Sequence, residues 1–293
     1  MLIAPTNHTP SLRQRLVEYA LLPTAGLALG LALCTAFSGC TAAIGDIPDD
    51  DSAGIGGLPG QGGNGGSVVC SYNSPDSSEK LIGSGVLVTQ SIPVSGFQAV
   101  DGISCNFQVT IQRSDTFAVT VEIDDNVAPH FQPSVVDSTL ELGLDAGTYE
   151  GITVKVTIAM PALIAVDGSG ASATKITGFA SSLPLEIDVS GASSLSGDIV
   201  AGSTLLSVDG ASQVTLTGSA TELELESDGA ARIDLALFPV GHLFARMSGN
   251  SQAAARVDGI LDADLSQLAS LRYTGNTQFG TIRVSGSASL RGQ

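Results

Sequence analysis

Apolar and polar residues alternate through much of the chain from Gly85 onward. FQVTIQR (107–113), FAVTVEI (117–123), STLELGL (138–144) and ITVKVTI (152–158) each place an apolar residue at every second position, with turn-forming residues between them. A period of two marks a strand with one face buried. Four such segments within about 50 residues, with no helical period of comparable strength, predict an all-β module.

From Val166 the alternation becomes a repeat. VDGSGAS (166–172) returns as VSGASS at 189, VDGASQ at 208, SDGAAR at 227, MSGNSQ at 247 and YTGNTQ at 273. The shared glycine falls at Gly170, Gly191, Gly210, Gly229, Gly249 and Gly275, at intervals of 21, 19, 19, 20 and 26. A fainter second glycine follows each, at Gly178, Gly197, Gly218, Gly241, Gly259 and Gly286. Each unit then holds a short strand, a glycine corner, a second short strand and a second corner. A unit of that size cannot bury its apolar face alone and must stack on its neighbours. The expected fold is all-β, a single-stranded parallel β-helix with coils of about 20 residues. The longest interval holds LDADLSQLAS and is the expected site of a bulging loop.

The residues before each first corner give the direction of the side chains. Two and four places before it stand Val189 and Ile187, Val208 and Leu206, Ser227 and Leu225, Met247 and Ala245, and Tyr273 and Leu271, which should point inward. Three places before it stand Asp167, Asp188, Ser207, Glu226, Arg246 and Arg272, which should point outward. Rungs about 4.8 Å apart would stack these into one column, acidic at its beginning and basic at its end. Asp167, Asp188, Glu226, Arg246 and Arg272 therefore form the candidate binding face. Asn250 and Asn276 share a position just after the corner, where stacked asparagines would hydrogen-bond along the axis.

Composition adds an address and excludes some partners. Twelve basic against 29 acidic residues give a net charge of −17, which disfavours nucleic acid and anionic headgroups as partners. Arg13 and Arg15 precede an apolar run, Ala20 to Phe37, that ends in Phe37-Ser38-Gly39-Cys40. That order resembles a bacterial lipoprotein signal with Phe37 in the usual leucine position, and it implies a signal peptide over 1–39 and lipidation of Cys40. Thr41 is not the aspartate that typically retains lipoproteins at the inner membrane, so the resemblance implies an outer-membrane anchor. An uncleaved anchor or simple secretion is the alternative. Residues 40–80 are dense in Gly and Asp, too poor in apolar surface to fold, and read as a flexible tether to a head over 81–293. The match of Gly60-Gln-Gly62-Gly63-Asn-Gly65 to a dinucleotide fingerprint lacks the flanking strand and helix and carries no weight. In an oxidising envelope, Cys70 and Cys105 remain as an even pair, read as a disulfide or as two buried thiols.

Candidate chemistry is thin. No serine lies in a G-x-S-x-G elbow, and after the signal only His130 and His242 could serve a nucleophile; each reads as a lone surface or corner histidine. Cysteine and histidine do not cluster as zinc requires. Asp49-Asp50-Asp51 and the pair Asp167 and Asp188 offer oxygens for calcium without a recognised loop spacing, and read as a solvated tail and an exposed sheet face. A polysaccharide lyase or hydrolase is the alternative function, because stacked rungs could set two carboxylates at the separation of about 5 Å that retaining glycoside chemistry uses. Against it, tryptophan is absent, Tyr273 should face inward, and Glu226 beside Arg246 is explained as a cross-strand pair. The sequence thus predicts no catalytic residue, metal or cofactor.

VSGFQAVDGISCNFQVTIQR, with Gly102-Ile103-Ser104, then VTVEIDDN, STLEL, ITVKVTIAMPALIAVDGSGAS and the serial corners resemble the bacterial domain called putative auto-transporter adhesin, head GIN domain. The resemblance runs from roughly Gln90 to the C-terminus and rests on the opening strands, the MPAL step at Met160 to Leu163 and the repeats in that order. Gly-Ile-Ser stands where the family has Gly-Ile-Asn. It implies a right-handed β-helical envelope domain that binds or scaffolds and carries no catalytic residues. The expected partners are the membrane, through the lipid anchor, and an envelope glycan or surface protein.

Overall fold

The computed structural model describes residues 69–72 and 80–293. The expected signal peptide, Cys40 and most of the expected tether lie outside the described residues. Val69–Tyr72 departs from the tether reading: it forms strand β1, paired antiparallel with residues 147–150. Cys70 within it is joined as a disulfide to Cys105, with Cα atoms 5.7 Å apart.

The opening part runs through β2 (Lys80–Ile82), β3 (Leu87–Ile92), β4 (Ala99–Ile103), β5 (Gln108–Arg113), β6 (Ala118–Asp124), β7 (Ser134–Val136), β8 (Thr139–Glu141), β9 (Gly147–Glu150) and β10 (Val154–Met160). β11 (Ala165–Gly168), β12 (Ala173–Ala180) and β13 (Leu185–Val189) begin the repeats. The long strands β14 (Ser194–Val208), β15 (Gln213–Ser227), β16 (Arg232–Met247) and β17 (Gln252–Leu265) follow, then β18 (Ser270–Thr274), β19 (Gln278–Val284) and β20 (Ser289–Gly292). A short 3₁₀ turn at Ala128–His130 is the one helical element among the described residues. The protein is an all-β solenoid of roughly 20-residue coils.

Strand pairing sorts the coils into two rows. One row passes from β5 through β12 to β14, and on to β15, β16, β17, β18 and β20, all parallel. The second passes from β4 through β11, β13 and β14, and on to β15, β16, β17 and β19, also parallel. Each long strand lends its first half to one row and its second half to the other, so one coil closes around both faces of the core. Alternation does the sorting: in β14, Leu195, Ile199, Leu206 and Val208 are buried, while Asp198 and Ser203 face out.

The first coil is covered by antiparallel strands. β10 pairs in parallel with β5 and antiparallel with β6, which in turn pairs antiparallel with β3; β7 and β8 close the other row. A stack of coils leaves its terminal apolar face open unless something caps it, and this segment fills that need at the N-terminal end. Asp124, buried in the cap, ties it together by accepting from the Gly85 N–H at 2.7 Å and the Thr153 N–H at 2.6 Å.

The first corner is a column of backbone turns in the left-handed region, made by Cys105, Gly170, Gly191, Gly210, Gly229, Gly249, Gln267 and Gly286. Each after Cys105 is bonded to the coil before it: the residue after one corner donates its N–H to the carbonyl of the preceding corner, as in Ala211 to Gly191 and Ala230 to Gly210, both at 2.7 Å. A methyl group at Gly229 would sit 2.7 Å from the Gly210 carbonyl oxygen, so both φ and stacking distance favour glycine.

Membership of this column corrects the repeat. The sixth corner in the glycine series is Gln267, with φ of 59°, and not Gly275. Leu268 donates to Gly249, and Ser287 to Gln267, in the pattern of every other corner. The expected loop at LDADLSQLAS is therefore absent: its first half is the end of β17 and its second half the corner. Gly286, read as a second-corner glycine, belongs to this first column. The fainter glycines do not make one column, since Gly197 lies inside a strand between Ile176 and Leu216, while Gly259 stacks on Gly241. Asn250 and Asn276 do not stack either: Asn250 donates its N–H to Gly229, whereas Asn276 donates to the Asp258 carboxylate.

Serines two places after the corner point into the core. Ser172, Ser193, Ser212 and Ser251 are buried, and Ser193, Ser212 and Ser251 donate to the carbonyls of Ser190, Asp209 and Ser248 at 2.8, 2.7 and 2.6 Å. The hydroxyls that looked like repeated nucleophiles close the turns from inside.

Candidate functional site

The outward column of the second row follows from the register. Glu141 pairs with Asp101, and Asp167 lies at a bulge against the Asp101–Gly102 step. Asp167 then pairs with Asp188, and the column continues through Ser207, Glu226, Arg246, Asp264 and Arg283. Four of the five residues of the candidate binding face, Asp167, Asp188, Glu226 and Arg246, stand in this column. Arg272 does not: it lies on the other row, between Ala254 and Arg291. Placing the corner at Gly275 moved the reading onto the wrong strand, and Asp264 holds the position assigned to Arg272. The expected run from acid to base is replaced by an acidic start followed by alternation.

The acidic start is unfavourable electrostatically. Burial, and then the neighbouring Asp101, Asp188 and Glu186, push the Asp167 carboxyl up to about 8. Further along, opposite charges meet across rungs. Arg246 Nη1 donates to Glu224 at 2.6 Å and to Glu226 at 3.0 Å, which includes the cross-strand pair expected for Glu226. Arg283 approaches Asp264 at 3.8 Å. The hydrogen bond to Glu226, with the charge of Glu224, raises the Arg246 pKa further above its ordinary value.

β16 is built as His242-Leu243-Phe244-Ala245-Arg246, so its alternation sends His242, Phe244 and Arg246 outward while Leu243 and Ala245 enter the core. His242 is not the lone corner histidine expected. Its Nε2 hydrogen-bonds the Asp262 carboxylate at 2.7 Å, and its ring lies against Phe244 with centroids 3.8 Å apart. Asp262 also accepts from the Thr281 N–H at 2.5 Å; the His242 bond and this one hold its carboxyl below the usual range. His130 likewise has a partner, Asp145, at 3.5 Å.

Two shallow grooves flank Phe244 and Arg246. One of about 250 Å³ is lined by Phe244, Arg246, Asp262, Asp264, Thr281 and Arg283. The other, about 290 Å³, is lined by Ser203, Glu222, Glu224, Phe244 and Arg246. They form one strip across the outward face of five neighbouring strands. Sequence reasoning reached Glu226 and Arg246 and missed Phe244, Glu224, Asp262, Asp264 and Arg283. The alternation of HLFAR already carried the signal for Phe244, and that of LELES the signal for Glu224; the misplaced corner hid Asp262, Asp264 and Arg283.

The arrangement suits recognition better than bond cleavage. Retaining glycoside chemistry needs one protonated carboxyl and one free carboxylate facing a shared substrate. In the strip Glu224 is held by Arg246, Asp262 by His242 and Thr281, and Asp264 by Arg283. The protonated carboxyl, Asp167, is half-buried and lines neither groove. No group of three or more His, Cys, Asp or Glu that could hold a metal occurs among the described residues, and Asp49-Asp50-Asp51 lie outside them.

Solved structures share this fold. The chain is similar to the crystal structure of a putative adhesin from Bacteroides fragilis, with TM-score 0.65 and 20% identity over 73% of this chain and all of that one. A putative adhesin from Parabacteroides merdae gives 0.56 and 18% over 74% of this chain and all of its own. A protein from Parabacteroides distasonis described as a putative lipid binding protein gives 0.58 and 14% over 73% of this chain and all of its own. At these identities the likeness shows the fold alone. Comparison with curated proteins gives no match. The model of one family matches residues 96–277, more than half of the chain, which therefore belongs to the family described as putative auto-transporter adhesin, head GIN domain.

Proposed function

We propose that this protein is a non-catalytic binding module of the bacterial cell envelope, anchored to the outer membrane through a lipid on Cys40 and held off it by the Gly- and Asp-rich tether. The observation that carries the binding role is the strip around Phe244 and Arg246, an open groove on a sheet in which Glu224 and Glu226 hold Arg246 and His242 holds Asp262. Fixed donors and acceptors lose little freedom when a ligand arrives, which favours recognition. The adhesin-like family supports the same reading. So does the lipoprotein-type signal, although Cys40 lies outside the described residues. The description of one neighbour as lipid binding does not transfer readily, since a chain of net charge −17 repels anionic headgroups.

Labelled full-length chain in detergent micelles, mixed with isolated bacterial envelopes, tests the role. Saturable binding is expected, lost in the double variant Phe244→Ala/Arg246→Gln and kept in Lys175→Gln, which changes the other row. Equal binding by all three proteins, or release of cleaved envelope polymer, would overturn the proposal. A Cys40→Ala chain should leave the membrane fraction on cell fractionation; its retention there would remove the lipid anchor from the account.

A further inference from the structure

Resting on the binding role just proposed, we infer that the strip takes an uncharged oligosaccharide, laid along the solenoid axis across the rungs. The mixture of charges is the first reason. Glu222, Glu224 and Glu226 on β15, and Asp262 and Asp264 on β17, surround Arg246, with Arg283 at the far end. The excess of carboxylates repels a uronate or phosphate polymer. A polyamine or basic peptide would meet Arg246 at the centre, where an ammonium offers no acceptor to the guanidinium. A hydroxyl donates to a carboxylate and accepts from an N–H, so a polyol satisfies both kinds of group with one uncharged functional group.

The aromatic ring is the second reason. Phe244 is partly buried between the two grooves and is backed by His242, itself pinned by Asp262. A ring fixed in that way is a platform for the C–H face of a sugar, and it supplies contact area at low entropic cost. Arg246 is 63% exposed, and both of its hydrogen bonds use Nη1 of a group that carries five donors.

Geometry sets the direction. The lining residues come from β14, β15, β16, β17 and β19, which are successive rungs of one row. Four rung steps of about 4.8 Å give a strip of about 19 Å, long enough for several linked sugars and too long for a disaccharide to fill. Affinity should therefore grow with chain length.

The probes are the hexamers and dimers of β-1,4-glucan, β-1,4-xylan, α-1,4-glucan and β-1,4-linked N-acetylglucosamine, with spermine and polygalacturonate as charged competitors. Calorimetric titration into the full chain in detergent reads the binding. At least one hexamer should bind, and its dimer at least tenfold more weakly. Phe244→Ala should weaken the hexamer at least tenfold, whereas Phe244→Tyr, which keeps the ring, retains it, and an unchanged melting temperature shows that both variants fold. The inference is overturned if no hexamer binds, if Phe244→Ala binds normally, or if spermine or polygalacturonate occupies the strip instead. If envelopes still capture the chain through Phe244 and Arg246 while every hexamer fails, the ligand class falls and the binding module stands. Loss of both overturns both.

Discussion

Replacing Asp167 by Asn should stabilise the protein at neutral and alkaline pH and do almost nothing at acid pH. The carboxyl sits at about 8 in the folded state against an ordinary value of 3.8. Between those values the folded chain keeps a proton that the unfolded chain releases, so stability falls as pH rises. It is full below about pH 4, declines by about 1.4 kcal/mol per pH unit and levels off above about pH 8. The four-unit span sets a ceiling of roughly 5–6 kcal/mol, and partial exposure with movement of Asp101 and Asp188 reduces the expected gain to about 2–4 kcal/mol at pH 8. An amide of the same shape removes both the charge and its titration. Tryptophan is absent, so guanidinium unfolding is followed by far-ultraviolet circular dichroism at pH 4 and pH 8 with the disulfide intact. The general repulsion of an acidic chain affects both proteins alike, and the difference between them isolates the site. A difference that does not change with pH, or a variant less stable at pH 8, would refute the reasoning.

Two further outcomes test the fold. Gln267→Gly should raise stability by about 0.5–1 kcal/mol, because the corner φ of 59° costs an L residue more than glycine; destabilisation in guanidinium melts would mean that the Gln267 side chain does more than tolerate the turn. Thr204→Val should gain about 1 kcal/mol, because the Thr204 hydroxyl is buried in the core without a hydrogen-bond partner; a loss of that size would reveal a buried water holding it.

The period of two and the glycine repeat made the solenoid legible from residues alone, because alternation and corner chemistry are local. Register was not. The column requires a backbone conformation and not a residue type, so Gln267 satisfied it invisibly, and Gly275 drew the alignment eight residues too far. That slip moved Arg272 onto the binding face, hid Asp264 and Arg283, and invented a loop. Cys105 escaped for the same reason: it is the first corner of the column, separated from Gly170 by most of the cap, and no repeat search joins residues across such an insertion. His242 and Phe244 were readable as outward positions but not as a stacked pair, since that contact depends on Asp262 from the next rung. Legibility ends where one coil must know about another.

The corner column also sets a grammar for change in this chain. Every coil repeats the same inward demand, so the sides facing solvent can be rewritten rung by rung without touching the core. Gain or loss of one whole coil, about 19 residues, would slide the Arg246 and Asp264 alternation by a single rung and leave every corner stacked. An insertion of one residue within a strand would exchange inside and outside for the remainder of that strand unless a bulge absorbed it, as the register shift between β15 and β16 does. Length can therefore vary in units of a coil, and surface text in units of a letter, while corner intervals of 21, 19, 19 and 20 show that a bulge absorbs a residue or two within a coil.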